Sequence, residues 1–318
     1  MSDFASLDMR SVYTETLIEL AATDDRIVIV EADLMKATGT VPFSQKYPDR
    51  AFNVGVAEAN LAGVAAGLSS VGKIPFAATF TPFASRKAYD QFFISGNYAY
   101  QNVKLVGTDP GVSAAFNGGT HMSFEDGGLM RNIPKLIVFE PSDNVSCRAL
   151  VKESAAYKGC TYMRLHRKGG QALYPETETF ELGKGKVLRD GTDITLVATG
   201  FLMVPQALEA AKTLESQGIS AAVIDMHTIK PIDRNLIVTY AKKTGAFVTC
   251  ENHQVVNFLG SAVAEVLAEE HPAYLGRVGI QDEFGEVATQ DYLMERFNLT
   301  APTIVSTALA VLKKKKGA

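Results

Sequence analysis

Apolar and polar positions along this chain fall into short unbroken apolar runs and longer stretches of helical period. Asp8 to Thr23 carries Val12, Leu17 and Leu20 on one face and predicts a helix. IVIV (Ile27 to Val30) predicts a buried strand, and two acids, Glu31 and Asp33, follow it at once, as caps or as groups facing a site. Residues 37–40 read as a polar turn. Pro82 to Tyr100 is helical in pattern, with Phe92, Phe93 and Ile94 expected inside. VKLVGT (Val103 to Thr108) is a strand opening into the Gly-rich loop DPGVSAAFNGGTH, Asp109 to His121. A loop this long after a buried strand points to function or mobility. LIVFEP is a further strand, followed by a helix from Asp143 to Tyr157. In TYMRLHR, alternation puts Tyr162, Arg164 and His166 on one face and Arg167 on the other.

Lys168 to Lys186 is rich in Gly, Pro, Glu and Thr, has no period, and reads as a linker. Alternation then resumes: ITLVAT as strand, Val204 to Gln217 as helix, SAAVID as strand, a helix after Pro231, and AFVTCE as strand. A helix over 257–270, a short strand over 277–280 and a last helix over 301–313 complete the series. Strands alternating with helices throughout predict an α/β fold of two parallel-sheet α/β domains, residues 1–170 and 187–318, joined by a linker over 171–186. The length of 318 residues agrees, at roughly 150 residues per domain.

One stretch, Phe52 to Phe83, concentrates the candidate chemistry. Glu58 stands at the start of a helix of small residues in which Gly63 and Gly67 lie one turn apart, a spacing that permits close backbone approach. IPFAATF then reads as a buried strand with Phe80 and Phe83 at its exit. Singly, Glu58 is explained by the helix dipole and the phenylalanines by the core. Together, a carboxylate and an aromatic platform at a strand's C-terminal end suggest a pocket for a flat nitrogenous ring.

Composition narrows the function classes. The net charge of −4 argues against a broad nucleic-acid footprint. No run approaches the ~20 apolar residues of a membrane span, and no apolar signal core opens the chain, so a cytoplasmic protein is expected. Three cysteines without metal-type spacing suggest a reducing compartment and ordinary buried thiols. The Lys313 to Lys316 tail reads as a solvated end. Walker, dinucleotide, HExxH, CxxC and GxSxG motifs are all missing, so an enzyme built on this chain needs another component to complete its site.

NVGVAEANLAGVAAGL followed by ATFTPF resembles the pyrimidine-binding domain of thiamine diphosphate enzymes of the transketolase family. The match is strongest to the separate C-terminal half of split, two-chain transketolases and covers nearly the whole chain. DMR with Arg10, EADL with Asp33, GGTH with His121 and RLHR with Arg167 follow in the family's order. VTCENH, GSAVAEVL and DEFGEVA resemble its third domain.

The resemblance implies roles. Glu58 would hydrogen-bond the cofactor's aminopyrimidine and favour the tautomer that takes a proton from the thiazolium carbon, so it must hold or share a proton. Phe80 and Phe83 would pack on the pyrimidine, and Asp33 would lie close to the cofactor. Arg10 and Arg167 would hold the sugar phosphate, a task suited to a planar, permanently charged fork. His121 would face the substrate near the reacting carbonyl. His253 reads as a loop-positioning residue, and Arg164 is divided between an ion pair and the pocket.

Two departures stand out. Relatives carry a histidine where this chain has Asp109, and Glu-Asp where it has Phe116-Asn117, positions implied to touch hydroxyls of the donor. A site built on specific hydroxyls rejects analogues strongly, so a modified ketose phosphate, branched or otherwise substituted, is the expected donor, with Asp109 and Asn117 among the substrate contacts. Arg86, where many relatives have tyrosine, has no assigned role.

The family's GDG…N diphosphate and Mg²⁺ motif does not occur, so no metal ligand is expected on this chain. An N-terminal transketolase subunit should bring those ligands, in an α2β2 heterotetramer with the cofactor across the interface. The expected activity is transfer of a two-carbon ketol unit between sugar phosphates. The beta subunit of a 2-oxoacid decarboxylase and a non-catalytic partner subunit are the alternatives.

Overall fold

A computed structural model describes residues 7–170 and 172–317; the first residue of the expected linker, 171, lies outside them. The first sheet contains β1 (Ile27–Glu31), β2 (Ala51–Asn53), β3 (Ile74–Phe80), β4 (Lys104–Thr108), β5 (Ile137–Phe139) and β6 (Thr161–Leu165). The second contains β7 (Lys186–Arg189), β8 (Ile194–Ala198), β9 (Ala221–Asp225), β11 (Ala246–Gln254) and β12 (Tyr274–Ile280). Between β9 and β11, β10 (Thr228–Lys230) leaves the second sheet and joins the first. Among the described residues the strand orders are β10-β5-β6-β4-β3-β1-β2 and β12-β11-β8-β9-β7. All pairings are parallel except β10 with β5 and β7 with β9, so this is a two-domain α/β fold with mostly parallel sheets. The parallel strands are buried on both faces, which is why IVIV, IPFAATF and ITLVA are largely apolar runs.

Register sets where the site can form. Glu31 pairs with Ala78, Phe80 with Thr108, and Thr108 with Leu165. The C-terminal ends of β1, β3, β4 and β6 are therefore level, and the chain leaves all four at one edge.

Three details depart from the sequence reading. Ile94, expected inside, is 52% exposed, because Phe83–Lys87 and Phe92–Tyr98 are wound as π-helix and the wider turn rotates Ile94 outward while Phe92 stays buried. β10 was not visible in the sequence; three residues carry no period, and their pairing is made across the two domains. The stretch read as a linker is pinned to the protein. Leu173 and Tyr174 donate backbone N–H groups to Asp143, Tyr174 donates its hydroxyl to Asp225 at 2.7 Å, and Phe180 packs edge-on against His227. One apolar cluster runs from Ile133 and Val138 to Ile229, Ile237 and Phe258, so the two domains share part of their core. Lys315 donates to the last carbonyl of the helix Arg234–Thr244, which docks the basic end of the chain. All three cysteines are buried and free.

Candidate active site

Glu58 is the first residue of the helix Glu58–Ser70 and is 5% exposed. The preceding Ala57 offers no side-chain cap, so the carboxylate stands at a helix N-terminus, where negative charge is favoured. Its charged neighbour is Lys87, 3.7 Å away, which also lies over the Phe83 ring at 5.3 Å. Gly63 and Gly67 face away from the chain's own core, and a Cβ at either would meet nothing within 4 Å.

Phe80 ends β3, and Phe83 begins the π-wound segment after it. Their ring centroids are 6.2 Å apart, and His121 stands edge-on to both, at 5.9 Å from Phe80 and 5.2 Å from Phe83. All three are half-buried, so part of each ring is open to solvent. The Thr81 hydroxyl donates to the Thr108 carbonyl at 2.7 Å and ties this aromatic segment to the end of β4. Arg86, which had no role from sequence, donates to the Thr120 carbonyl at 3.1 Å and pairs with Glu125 at 3.3 Å, so it holds the GGTH turn that presents His121. The His121 ring is further fixed by a 2.9 Å Nδ1 contact with the Thr120 hydroxyl.

Asp33 lies beyond the end of β1 with a φ of 63° and is exposed. Asn53 organises it: the Asn53 carbonyl oxygen accepts from the N–H groups of Asp33 and Gly55, and its amide donates to the Asp33 carboxylate at 3.1 Å. Sequence reasoning missed Asn53 and Lys87. The only signal for either was nearness in sequence to Glu58 and Phe83.

A second cluster forms where the helix Met9–Thr23 meets the end of β6. Met9 and Arg10 donate backbone N–H groups to the carbonyls of Lys168 and Arg167. Arg10 is held by Asp8 at 3.3 Å and donates to the Ala37 carbonyl at 3.2 Å, while its aliphatic stem covers Gly39. Arg167 lies 3.1 Å from the Asp109 carboxylate. The structure thus brings Arg10, Arg167 and Asp109 together. Asn117 is exposed in the loop, beside Phe116, which is 70% exposed.

The loop 109–121 is braced by the second domain. The Asn252 side chain accepts from the Val112 N–H and donates to the Pro110 carbonyl, and Gly111 allows this approach, since a Cβ there would sit 2.1 Å from Asn252 Oδ1. His253 accepts from the Gly128 N–H at 3.2 Å, a positioning contact, and burial pulls its ring down to about 4. Arg164 is fully buried and donates to Asp126, Glu140 and the Asn252 carbonyl, so it is a structural ion pair and not a pocket residue. Burial pushes the Asp126 carboxyl up, but the Arg164 charge overrules it and holds it below the usual range. Among the described residues, no group of three or more His, Cys, Asp or Glu side chains could hold a metal ion, and no helix is long and apolar enough to cross a membrane.

Residues 5–171 match the family described as "Transketolase, pyrimidine binding domain", and residues 183–304 match "Transketolase, C-terminal domain". The chain belongs to the transketolase family. It is 51% identical over 307 residues to the "6-deoxy-6-sulfo-D-fructose transketolase subunit SqwH" of Clostridium sp. (strain MSTE9), covering 96% of this chain and 95% of that protein. It is 41% identical over 311 residues to the "Putative transketolase C-terminal section" of Methanocaldococcus jannaschii, covering 96% of this chain and 97% of the relative. A solved structure, "Split gene transketolase, inactive beta4 tetramer", superposes with a TM-score of 0.90 at 46% identity, covering 96% of this chain and 99% of that one. This chain is a subunit of a split transketolase, a transferase, and that reading fits better than the 2-oxoacid alternative. The family's cofactor is thiamine diphosphate.

Proposed function

We propose that this chain is the pyrimidine-side half of a transketolase site, completed by a partner chain that brings the diphosphate and Mg²⁺ ligands in an α2β2 assembly. The observation that supports the reading is the near-buried Glu58 at a helix start, joined through Lys87 to the Phe80–Phe83 rings and His121, in a family member. A carboxylate beside half-buried aromatic rings fits the pyrimidine of thiamine diphosphate. When bound, that cofactor supplies the nucleophilic carbon and electron sink that ketol transfer needs.

Each residue of the chain then has a task. Glu58 holds a proton against the pyrimidine nitrogen and fixes which tautomer is present. Phe80 and Phe83 exclude water and pack on the ring. Asp33, oriented by Asn53, lies at the cofactor's edge. His121, held by the turn that Arg86 clamps, donates a hydrogen bond to the carbonyl oxygen of the substrate. Arg10 and Arg167 hold the anionic far end of the sugar, with Asn117 contacting hydroxyls from the loop.

The donor we favour is a six-carbon ketose bearing a sulfonate in place of phosphate, as named for the relative at 51% identity. It is a non-standard donor, as Asp109 and Asn117 led one to expect, but it carries no phosphate and so departs from the modified ketose phosphate expected from the sequence. The test is to co-express the chain with its N-terminal partner and assay two-carbon transfer from 6-deoxy-6-sulfofructose to an aldose phosphate. Turnover that requires thiamine diphosphate and Mg²⁺ supports the proposal. Turnover of xylulose 5-phosphate at full family efficiency, with none of the sulfonate sugar, contradicts the donor assignment.

A further inference from the structure

Asp109 is out of place as a purely structural residue. It follows β4 in the left-handed region, φ 56°, with its N–H donating to the Leu165 carbonyl at 3.1 Å. Its carboxylate is almost wholly buried, and beyond the Arg167 guanidinium, 3.1 Å from Oδ2, that oxygen has no partner among the described residues. Burial pushes its carboxyl up to about 6, against the opposing charges of Arg167 and Arg10. Burying an incompletely paired carboxylate costs stability, and this one braces neither a helix end nor a turn. What it does is set charge. Arg10, Arg167 and the exposed Lys168 are the cations that act on it, and its carboxylate offsets one of their positive charges.

The two candidate groups at the far end of the donor differ in charge. A phosphate monoester carries about −1.5 to −2 at neutral pH, whereas a sulfonate carries a single negative charge and no titratable proton. A pocket whose positive charge is reduced by one carboxylate suits the second better than the first. Against the first, the Asp109 carboxylate would face a dianion across the arginines, and like charges so placed in a partly desolvated site cost several-fold to many-fold in affinity. We propose that Asp109 is a specificity residue that tunes the Arg10–Arg167 anion pocket to a singly charged sulfonate and against a doubly charged phosphate; the assignment rests on the sulfonate donor proposed above. It gives the departure at position 109 a role at the anion end of the sugar, beside Arg167, in place of contact with hydroxyls at the reacting end.

Asp109→Asn is the variant of choice, because asparagine tolerates the left-handed backbone as well as aspartate does. The reconstituted enzyme and this variant are assayed with 6-deoxy-6-sulfofructose and with fructose 6-phosphate. The expected result is that the ratio of kcat/KM, sulfonate over phosphate, falls by about 10-fold or more in the variant, through a lower KM for the phosphate sugar. A ratio within about 2-fold of the parent's overturns the selector role, while turnover of the sulfonate sugar by the parent leaves the donor assignment standing. A parent enzyme that turns over the phosphate sugar alone overturns both. A second measurement needs no variant. Ethanesulfonate should inhibit the parent enzyme competitively at lower concentration than ethyl phosphate, and the reverse order overturns the proposal whether or not Asp109→Asn assembles.

Discussion

Arg164 and Arg167 leave the same segment three residues apart and enter opposite environments. Arg164 projects into the junction between the domains, has no exposure, and directs its donors at two carboxylates and a carbonyl of its own chain. Arg167 lies past the end of β6, is 29% exposed, and meets one carboxylate, Asp109, at 3.1 Å. At the junction, one guanidinium is hydrogen-bonded by two carboxylates and a carbonyl, so its donors are satisfied inside the protein. At the strand edge, charges are left incompletely satisfied beside an opening. The same residue type is scaffold in one place and, as proposed, a recognition group in the other, and the difference is made by whether the strand has ended. Glu58 and Glu140 repeat the contrast: Glu140 is fixed by Arg164 at 2.5 Å, whereas Glu58 has only a lysine 3.7 Å away.

If that comparison holds, substitutions at the two places separate stability from activity. The largest effect is expected at the site. Glu58→Gln should lower kcat of the reconstituted enzyme by about 10³-fold, the scale of a lost acid–base group, with no loss of thermal stability; retained kcat would break the contrast at its strongest point. Arg164→Met strands Asp126 and Glu140 and should cost about 3–5 kcal/mol, read by urea unfolding, while activity per folded molecule is retained. Arg167→Ala should act mainly on the donor, raising its KM by about 10- to 100-fold through the loss of a charge-assisted contact, with a smaller loss of stability than Arg164→Met because it uncovers one carboxylate, Asp109, and not two.

A smaller effect tests the floor of the site. Glu31 is buried, accepts from the hydroxyls of Thr38 and Thr40, and is raised by burial to about 8 from an ordinary 4.5. In the unfolded chain it loses its proton near 4.5, whereas the folded chain keeps it until about 8. Stability from this group is therefore full below 4.5 and is lost as pH rises toward 8, with a slope of at most about 1.4 kcal/mol per pH unit. Glu31→Gln should remove that slope, so the parent loses stability relative to the variant across the window in urea melts at stepped pH. Parallel curves would show that Glu31 titrates alike in both states.

Much of the fold was legible because its strands are buried on both faces and its helices keep a clear period, as in IVIV, KLVGT and SAAVID. The failures have physical causes. Ile94 was misplaced because π-winding changes the angular step that a helical reading assumes. β10 and the pinning of 173–180 depend on contacts between domains that no local pattern encodes. At the site, Glu58, Phe80, Phe83, Arg10 and Arg167 could be picked out because each sits at an element end or in a family motif. Asn53, Lys87 and Arg86 could not, since an asparagine, a lysine and an arginine near a turn read as solvated surface until the fold shows what they hold. Asp109 was visible as a departure, but its contact with Arg167 is seen only in the fold.

The central claim is that this chain supplies one half of an active site. The direct test is to titrate the purified N-terminal partner into a fixed amount of this chain, with thiamine diphosphate and Mg²⁺ in excess, and record ketol transfer. The account predicts no activity from either chain alone and a linear rise that breaks at the equimolar point. Full turnover by this chain without its partner would contradict it.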